Sequence, residues 1–244
     1  MEDRTRLGAD VRPDGRTSFL VWAPAAASVE LLLEGREPVP MSGDGDGYHL
    51  AVTEDAPVGT RYRYRLRTEG EEPVERADPA SRHQPDGLHG PSAVDDPGAF
   101  DWTDDGWRPP LLRDQVLYEL HVGTFTPDGT FDAIVPRLPD LRELGVTTIE
   151  LMPVWQFPGA RNWGYDGVLP YAVQDSYGGP EGLRRLVDAA HAAGIAVVLD
   201  VVYNHYGPEG NHLRDFGPYF TDEYATPWGD AVNVDGPGSD HVRR

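Results

Sequence analysis

The chain has 244 residues, with 21 basic against 41 acidic side chains and a net charge of −20 at pH 7. All 21 basic residues are arginine, and there is no lysine and no cysteine. This composition excludes Schiff-base and phosphate-loop lysine chemistry, disulfide scaffolds, thiol nucleophiles and cysteine-ligated metals. The acidic balance also makes nucleic acid and anionic membrane surfaces poor partners, whereas a neutral ligand such as a sugar is not repelled.

Hydrophobic residues make up 39% of the chain and aromatics 10%, enough for packed cores. No apolar run follows the first residues, and none approaches the roughly 20 residues of a membrane span. The expectation is a cytoplasmic protein. Residues 1–78 read as β structure. Thr17–Trp22, Ser28–Leu33 and Arg61–Arg67 each alternate. The last sets arginines on one face and Tyr62, Tyr64 and Leu66 on the other, the period of a half-buried strand. Turn signals between these runs predict a small antiparallel β-sandwich. Residues 79–113, rich in Pro, Asp and Gly, read as a linker or an extended segment laid across the next domain.

Residues 114–244 alternate strands with helices. Val116–Val122 reads as a strand. Ile134, Leu138, Leu141 and Leu144 lie at helical spacing, disturbed by Pro136 and Pro139, so the regular helix is expected to begin near Pro139. Val146–Met152 is a second strand. A helix opens at Pro180 and stops at Gly194. Ile195–Asp200 is a third strand, apolar on both faces as a parallel strand covered by helices must be. A long loop over 203–238 follows, then a helix start capped by Ser239 or Asp240. The predicted fold class is multi-domain: the sandwich, then the first three β/α units of a TIM (β/α)8 barrel, incomplete at this length.

Two clusters carry candidate chemistry. Asp200-Val201-Val202-Tyr203-Asn204-His205 leaves the third strand at its C-terminal end, where a carboxylate and an imidazole can bond sugar hydroxyls. The alternative is a strand-end cap, with Asp200 holding loop amides and His205 packed. Asn162-Trp163-Gly164-Tyr165-Asp166-Gly167 follows the second strand and sets aromatic faces beside polar groups, as sugar rings require. Here the alternative is a loop anchored into the core by Trp163 and Tyr165. The aromatic stretches 216–221 and 226–230 suit a binding loop or a self-packed cover over the barrel rim. Glu119 and His121 share one side of the first strand and read as a polar layer near the pocket floor. Neither the His-Glu-x-x-His pattern of zinc hydrolases nor a Gly-x-Ser-x-Gly nucleophile elbow occurs.

The residues Asp200 to His205 resemble the first signature region of the α-amylase superfamily of glycoside hydrolases. Arg16 to Pro24 is similar to the start of the β-sandwich carbohydrate-binding module that precedes its branching, debranching and trehalose-releasing members. The stretches Glu150 to Val154, Phe157 to Gly159, Trp163 to Val168, Phe216 to Asp222 and Thr226 to Asp230 resemble the trehalose-releasing group. The resemblance implies retaining hydrolysis of the α-1,4 bond that joins a terminal trehalose to a malto-oligosaccharide, with a malto-oligosaccharide or α-glucan as partner and no cofactor. It implies that Tyr165 stacks on the sugar at the non-reducing side of the cleaved bond, that His205 bonds that ring's hydroxyls, and that Asp200 braces the catalytic carboxylates. Trp163, Asp166 and Asn204 complete the expected substrate-binding set. Asn204 matches a calcium ligand of some amylases, but no other ligand is recognisable, so no metal is expected.

Retention needs two carboxyl groups about 5–5.5 Å apart. In this superfamily they follow the fourth and fifth strands, so no catalytic residue is assigned here. The chain reads as an N-terminal part, inactive alone. A glucan-binding module without catalysis and a related branching or debranching enzyme are the alternatives. Trp22 is the strand aromatic available for glucan binding, though its spacing suits a core position.

Overall fold

The computed structural model describes residues 6–244. The first strands in chain order are β1 (Gly8–Val11), β2 (Thr17–Trp22), β3 (Ser28–Leu33), β4 (Val39–Pro40), β5 (Ser42–Gly43), β6 (Tyr48–Thr53), β7 (Arg61–Arg67), β8 (Val74–Arg76) and β9 (Ser92–Ala93). One sheet runs β1-β2-β6-β5. The other runs β4-β3-β7-β8, with β9 also paired to β7. All pairings are antiparallel. The alternation in β7 does what its pattern demands. Tyr62, Tyr64 and Leu66 are buried with Phe19, Val21, Val29 and Leu31, and the arginines face outward.

Residues 79–95 form a strap packed on the sandwich, with Val94 in its core and several polar side chains buried. Buried Asp78 accepts hydrogen bonds from Tyr62 Oη (2.7 Å), Tyr64 Oη (3.2 Å) and the Ala80 amide (2.8 Å). Ser81 donates to Gln84 Oε1 at 2.8 Å, and both are fully buried. Arg82 ties back to the carbonyls of Ala9 and Leu7. Residues 101–108 contact α-helical residues further along the chain. Thr103 donates twice to Asp188, and Trp107 stacks on His191 at 4.5 Å.

The second half begins with β10 (Leu117–Leu120), α1 (Val122–Phe125), α2 (Phe131–Ile134) and α3 (Leu138–Glu143). It continues with β11 (Thr148–Leu151), β12 (Trp155–Gln156), β13 (Leu169–Val173), α4 (Gly179–Ala192) and β14 (Ala196–Leu199). Parallel β10, β11 and β14 form one sheet in that order. Ile149, Leu151 and Leu120 pack against Phe131, Ile134, Leu138, Leu186 and Ala190 from the helices. The two prolines break the first helical stretch into α2, a 3-10 turn and α3, with Pro139 in the first turn of α3. A proline is tolerated there because its missing N–H would have no partner.

Three expectations need correction. Val198 and Leu199 are 36% and 41% exposed, so β14 is not covered on both faces. It pairs only with β11 and forms the edge of the sheet. The 203–238 region contains α5 (Leu213–Phe216) and an antiparallel hairpin, β15 (Phe220–Thr226) with β16 (Gly229–Val232). The final α6 (Ser239–Val242) starts from Gly238 at φ 79°, with no capping side chain from Ser239 or Asp240.

The two halves meet through Trp22. Its indole is 3% exposed, stacks on His241 at 4.9 Å and meets Tyr219 edge-on at 5.3 Å. The Ala25 amide donates to the Phe216 carbonyl, and Arg76 pairs with Asp215 at 2.6 Å. The core reading of Trp22 therefore holds, and its ring presents no face to a ligand. No helix among the described residues is long and apolar enough to cross a membrane.

Candidate substrate-binding site

The parallel register fixes which side chains share a face. Glu119, Glu150 and Val198 are level across the three strands, on the side away from the helix-packed Ile149 and Leu151. The loops after β11 and β14 add the remaining groups at the C-terminal ends of the strands.

The loop after β12 is bent by Gly164, whose φ is 100°. A Cβ there would lie 2.1 Å from the Pro153 carbonyl oxygen, so only glycine fits. Asn162 then braces the turn. Its Oδ1 accepts from the Gly164 amide at 2.8 Å, and its Nδ2 donates to Asp166 Oδ2 at 2.8 Å. His121 Nε2 donates to the Asn162 carbonyl at 2.7 Å and so anchors the loop from the first strand's end.

This bend delivers Tyr165 to Asp200. The phenol donates to Asp200 Oδ2 at 3.1 Å. Asp200 itself is held at the strand end by its amide, which donates to the Leu151 carbonyl at 2.9 Å. The Tyr165 phenol is harder to ionise than usual. Burial is the largest cause, followed by its bond to Asp200 and by the negative charge of Asp200, Glu119 and Glu150.

His205, 8% exposed, supports the same tyrosine from behind. Its Nε2 donates to the Tyr165 carbonyl at 2.9 Å, and its Nδ1 lies 2.8 Å from Asn204 Oδ1. The indole of Trp228, from the β15–β16 turn, stacks on the imidazole at 5.0 Å. Both ring nitrogens are engaged, and the imidazole contacts the Tyr165 loop on one side and Trp228 on another.

Tyr165, Asp200, His205 and Asn204 thus form one cluster, and Asp166 joins the loop through Asn162. Trp163 is 75% exposed and points out of the core, so it does not anchor its loop. Sequence reasoning missed Glu150, whose signal was a lone acidic residue between Ile149 and Leu151. It also passed over Tyr203, 73% exposed beside Asn204.

A carboxylate cluster at the C-terminal ends of parallel strands, ringed by exposed aromatics, suits neutral polyhydroxyl ligands. The comparisons agree. The profile described as alpha amylase, catalytic domain, matches residues 87–225, and the carbohydrate-binding module 48 (isoamylase N-terminal domain) matches residues 6–81. The chain belongs to the α-amylase family, with a module-48 domain in front of its catalytic domain. It is 50% identical over 98% of its length to the malto-oligosyltrehalose trehalohydrolase of Saccharolobus solfataricus and spans 41% of that protein. A solved Salmonella typhimurium structure described as an alpha amylase superposes with a TM-score of 0.91 at 44% identity, over 97% of this chain and 39% of that one. A pullulanase of Paenibacillus barengoltzii, solved with maltotriose, superposes at 0.80 with 25% identity, over 99% of this chain and 46% of that one.

Proposed function

We propose that these residues form the substrate-gripping part of a retaining glycosidase. It cleaves the α-1,4 bond beside the terminal trehalose of malto-oligosyltrehalose, releases trehalose and works in the cytoplasm. The observation that carries this reading is the Tyr165–Asp200 hydrogen bond, made between loops of two different strands and backed by His205. Tyr165 supplies a ring face to one glucose unit. Asp200, fixed by that phenol and by the Leu151 carbonyl, sets the negative charge beside it. The exposed Trp163, Tyr203 and Trp228 offer further faces to neighbouring sugars. Named trehalohydrolase relatives at this identity support the substrate.

The strands β10, β11 and β14 read as the opening units of a (β/α)8 barrel, with the strap of residues 79–95 belonging to the sandwich. The bond-breaking carboxyl pair is assigned to none of these 244 residues. Asp200 is bound by Tyr165, and Glu119 and Glu150 are neighbours in register rather than groups on two sides of a cleft. The chain by itself is therefore expected to bind malto-oligosaccharide without cleaving it.

The experiment pairs two measurements. Maltotriose titration of the 244-residue chain, read by tryptophan fluorescence, should saturate and should weaken in Tyr165→Ala. Malto-oligosyltrehalose incubated with the same chain should yield no trehalose. Trehalose release at useful turnover, or fluorescence indifferent to Tyr165, would overturn the reading. A branching or debranching activity would show itself as new or lost α-1,6 linkages.

A further inference from the structure

Where the sandwich, the strap, β13 and the loop after β14 converge, the described residues line a pocket of about 130 Å³, partly open to solvent. It shares no lining residue with the Tyr165–Asp200 cluster. Its floor is apolar, with Leu88, Val168 and Leu169 packed together. Its polar wall brings Arg63, Glu75 and Arg76 from the sandwich, His89 from the strap and His212 from the loop.

The ion pairs around it decide its character. Asp215 is taken by Arg76 at 2.6 Å, Glu75 by Arg65 at 2.8 Å, and Glu209 faces His89 at 3.3 Å. Arg63 has no carboxylate partner, and one of its nitrogens donates to the His89 carbonyl at 2.7 Å. The rest of its planar fork is unspent, at a half-buried position beside a second guanidinium. His212 gains a proton less readily than usual. Burial is the chief cause, then the charge of Arg76, with His89 adding to it and Asp215 opposing. Arg63 is thus the guanidinium lining this pocket that no carboxylate engages, at the junction of the two domains.

We propose that this pocket binds a small phosphate-class oxyanion, seated on Arg63 between the sandwich and the catalytic domain. A guanidinium fork matches phosphate oxygens bidentately. A tetrahedral ion also offers oxygens in other directions, which suits donors arriving from β7, the strap and the loop. A planar carboxylate would use one fork and leave the imidazoles idle. A neutral sugar is disfavoured because the aromatic in the wall, Phe216, is 1% exposed and shows no ring face. The ion is inorganic phosphate or the phosphate of a sugar phosphate, and this site stands independently of the glycosidase reading.

The test is calorimetric titration of the chain with inorganic phosphate, glucose 6-phosphate and maltotriose in parallel, alongside NMR of the His212 imidazole. Saturable binding of either phosphate is expected, with His212 holding its proton to higher pH in the complex. Whichever phosphate binds more tightly identifies the source. Arg63→Gln should weaken binding about tenfold or more, and Arg63→Lys, which keeps the charge without the fork, should fall between. Because Arg63 also holds the strap, His212→Gln serves as a second variant on the opposite wall and should weaken binding as well. The proposal fails if neither phosphate saturates, if both variants bind phosphate like the parent, or if maltotriose rather than phosphate shows the Arg63 dependence.

Discussion

The Tyr165 phenol donates a 3.1 Å hydrogen bond to Asp200, joining the loop after the second parallel strand to the end of the third. That one bond sets the shape of the strand-end cluster and makes it open to titration. Burial and the Asp200 carboxylate both penalise the phenolate. Asp200→Asn removes a charge that opposes ionisation, so Tyr165 should ionise at lower pH in the variant. Ultraviolet difference titration, with Tyr165→Phe identifying the signal, checks the direction.

Gly164 is the hinge of the same loop. With φ at 100° and the Pro153 carbonyl 2.1 Å from any added Cβ, Gly164→Ala must displace the segment that carries Tyr165. Strain alone costs about 1–3 kcal/mol, before the clash is counted. The expected outcome is a lower melting temperature and loss of the fluorescence response to maltotriose.

Asp95 and Arg184 join the end of the strap to α4 through two parallel hydrogen bonds, with side chains 7% and 14% exposed. Removing one partner leaves the other charge buried. Asp95→Ala should therefore cost about 3–5 kcal/mol, while the double change Asp95→Leu with Arg184→Met should recover most of it. Urea unfolding of the single and double variants measures both.

Two aspartates should respond to pH with opposite sign. Burial raises the Asp78 pKa despite its three hydrogen bonds, so the stability it contributes is fully present below the ordinary carboxyl value and is lost as pH rises through its folded value. Asp132 is lowered, chiefly by its hydrogen bond from Arg185, so its contribution is present above the ordinary value and is lost as pH falls through its folded value. With Asp78→Asn and Asp132→Asn as non-titrating references, the parent's advantage should shrink with rising pH in the first comparison and with falling pH in the second.

Much of the architecture was legible because it rests on repeating patterns. The alternation of Arg61–Arg67 dictated both the strand and its buried tyrosines, and the run Ile195–Asp200 located the strand end that carries the cluster. Other features rest on single long-range contacts that leave no periodic trace. Asp78 is buried by two tyrosines from β7, Trp22 by His241, and His205 by a tryptophan from a hairpin that reads as loop. The contact of His205 with Tyr165 likewise joins loops distant in the chain.

The sealing of Trp22 limits how the front module can move. An indole wedged between Tyr219 and His241 works as a keystone, so the sandwich cannot swing on a tether to sample a polymer surface. The outer face of the sandwich is held at one fixed angle and distance from the strand-end cluster. Reach and orientation are thus built into the joint rather than left to diffusion.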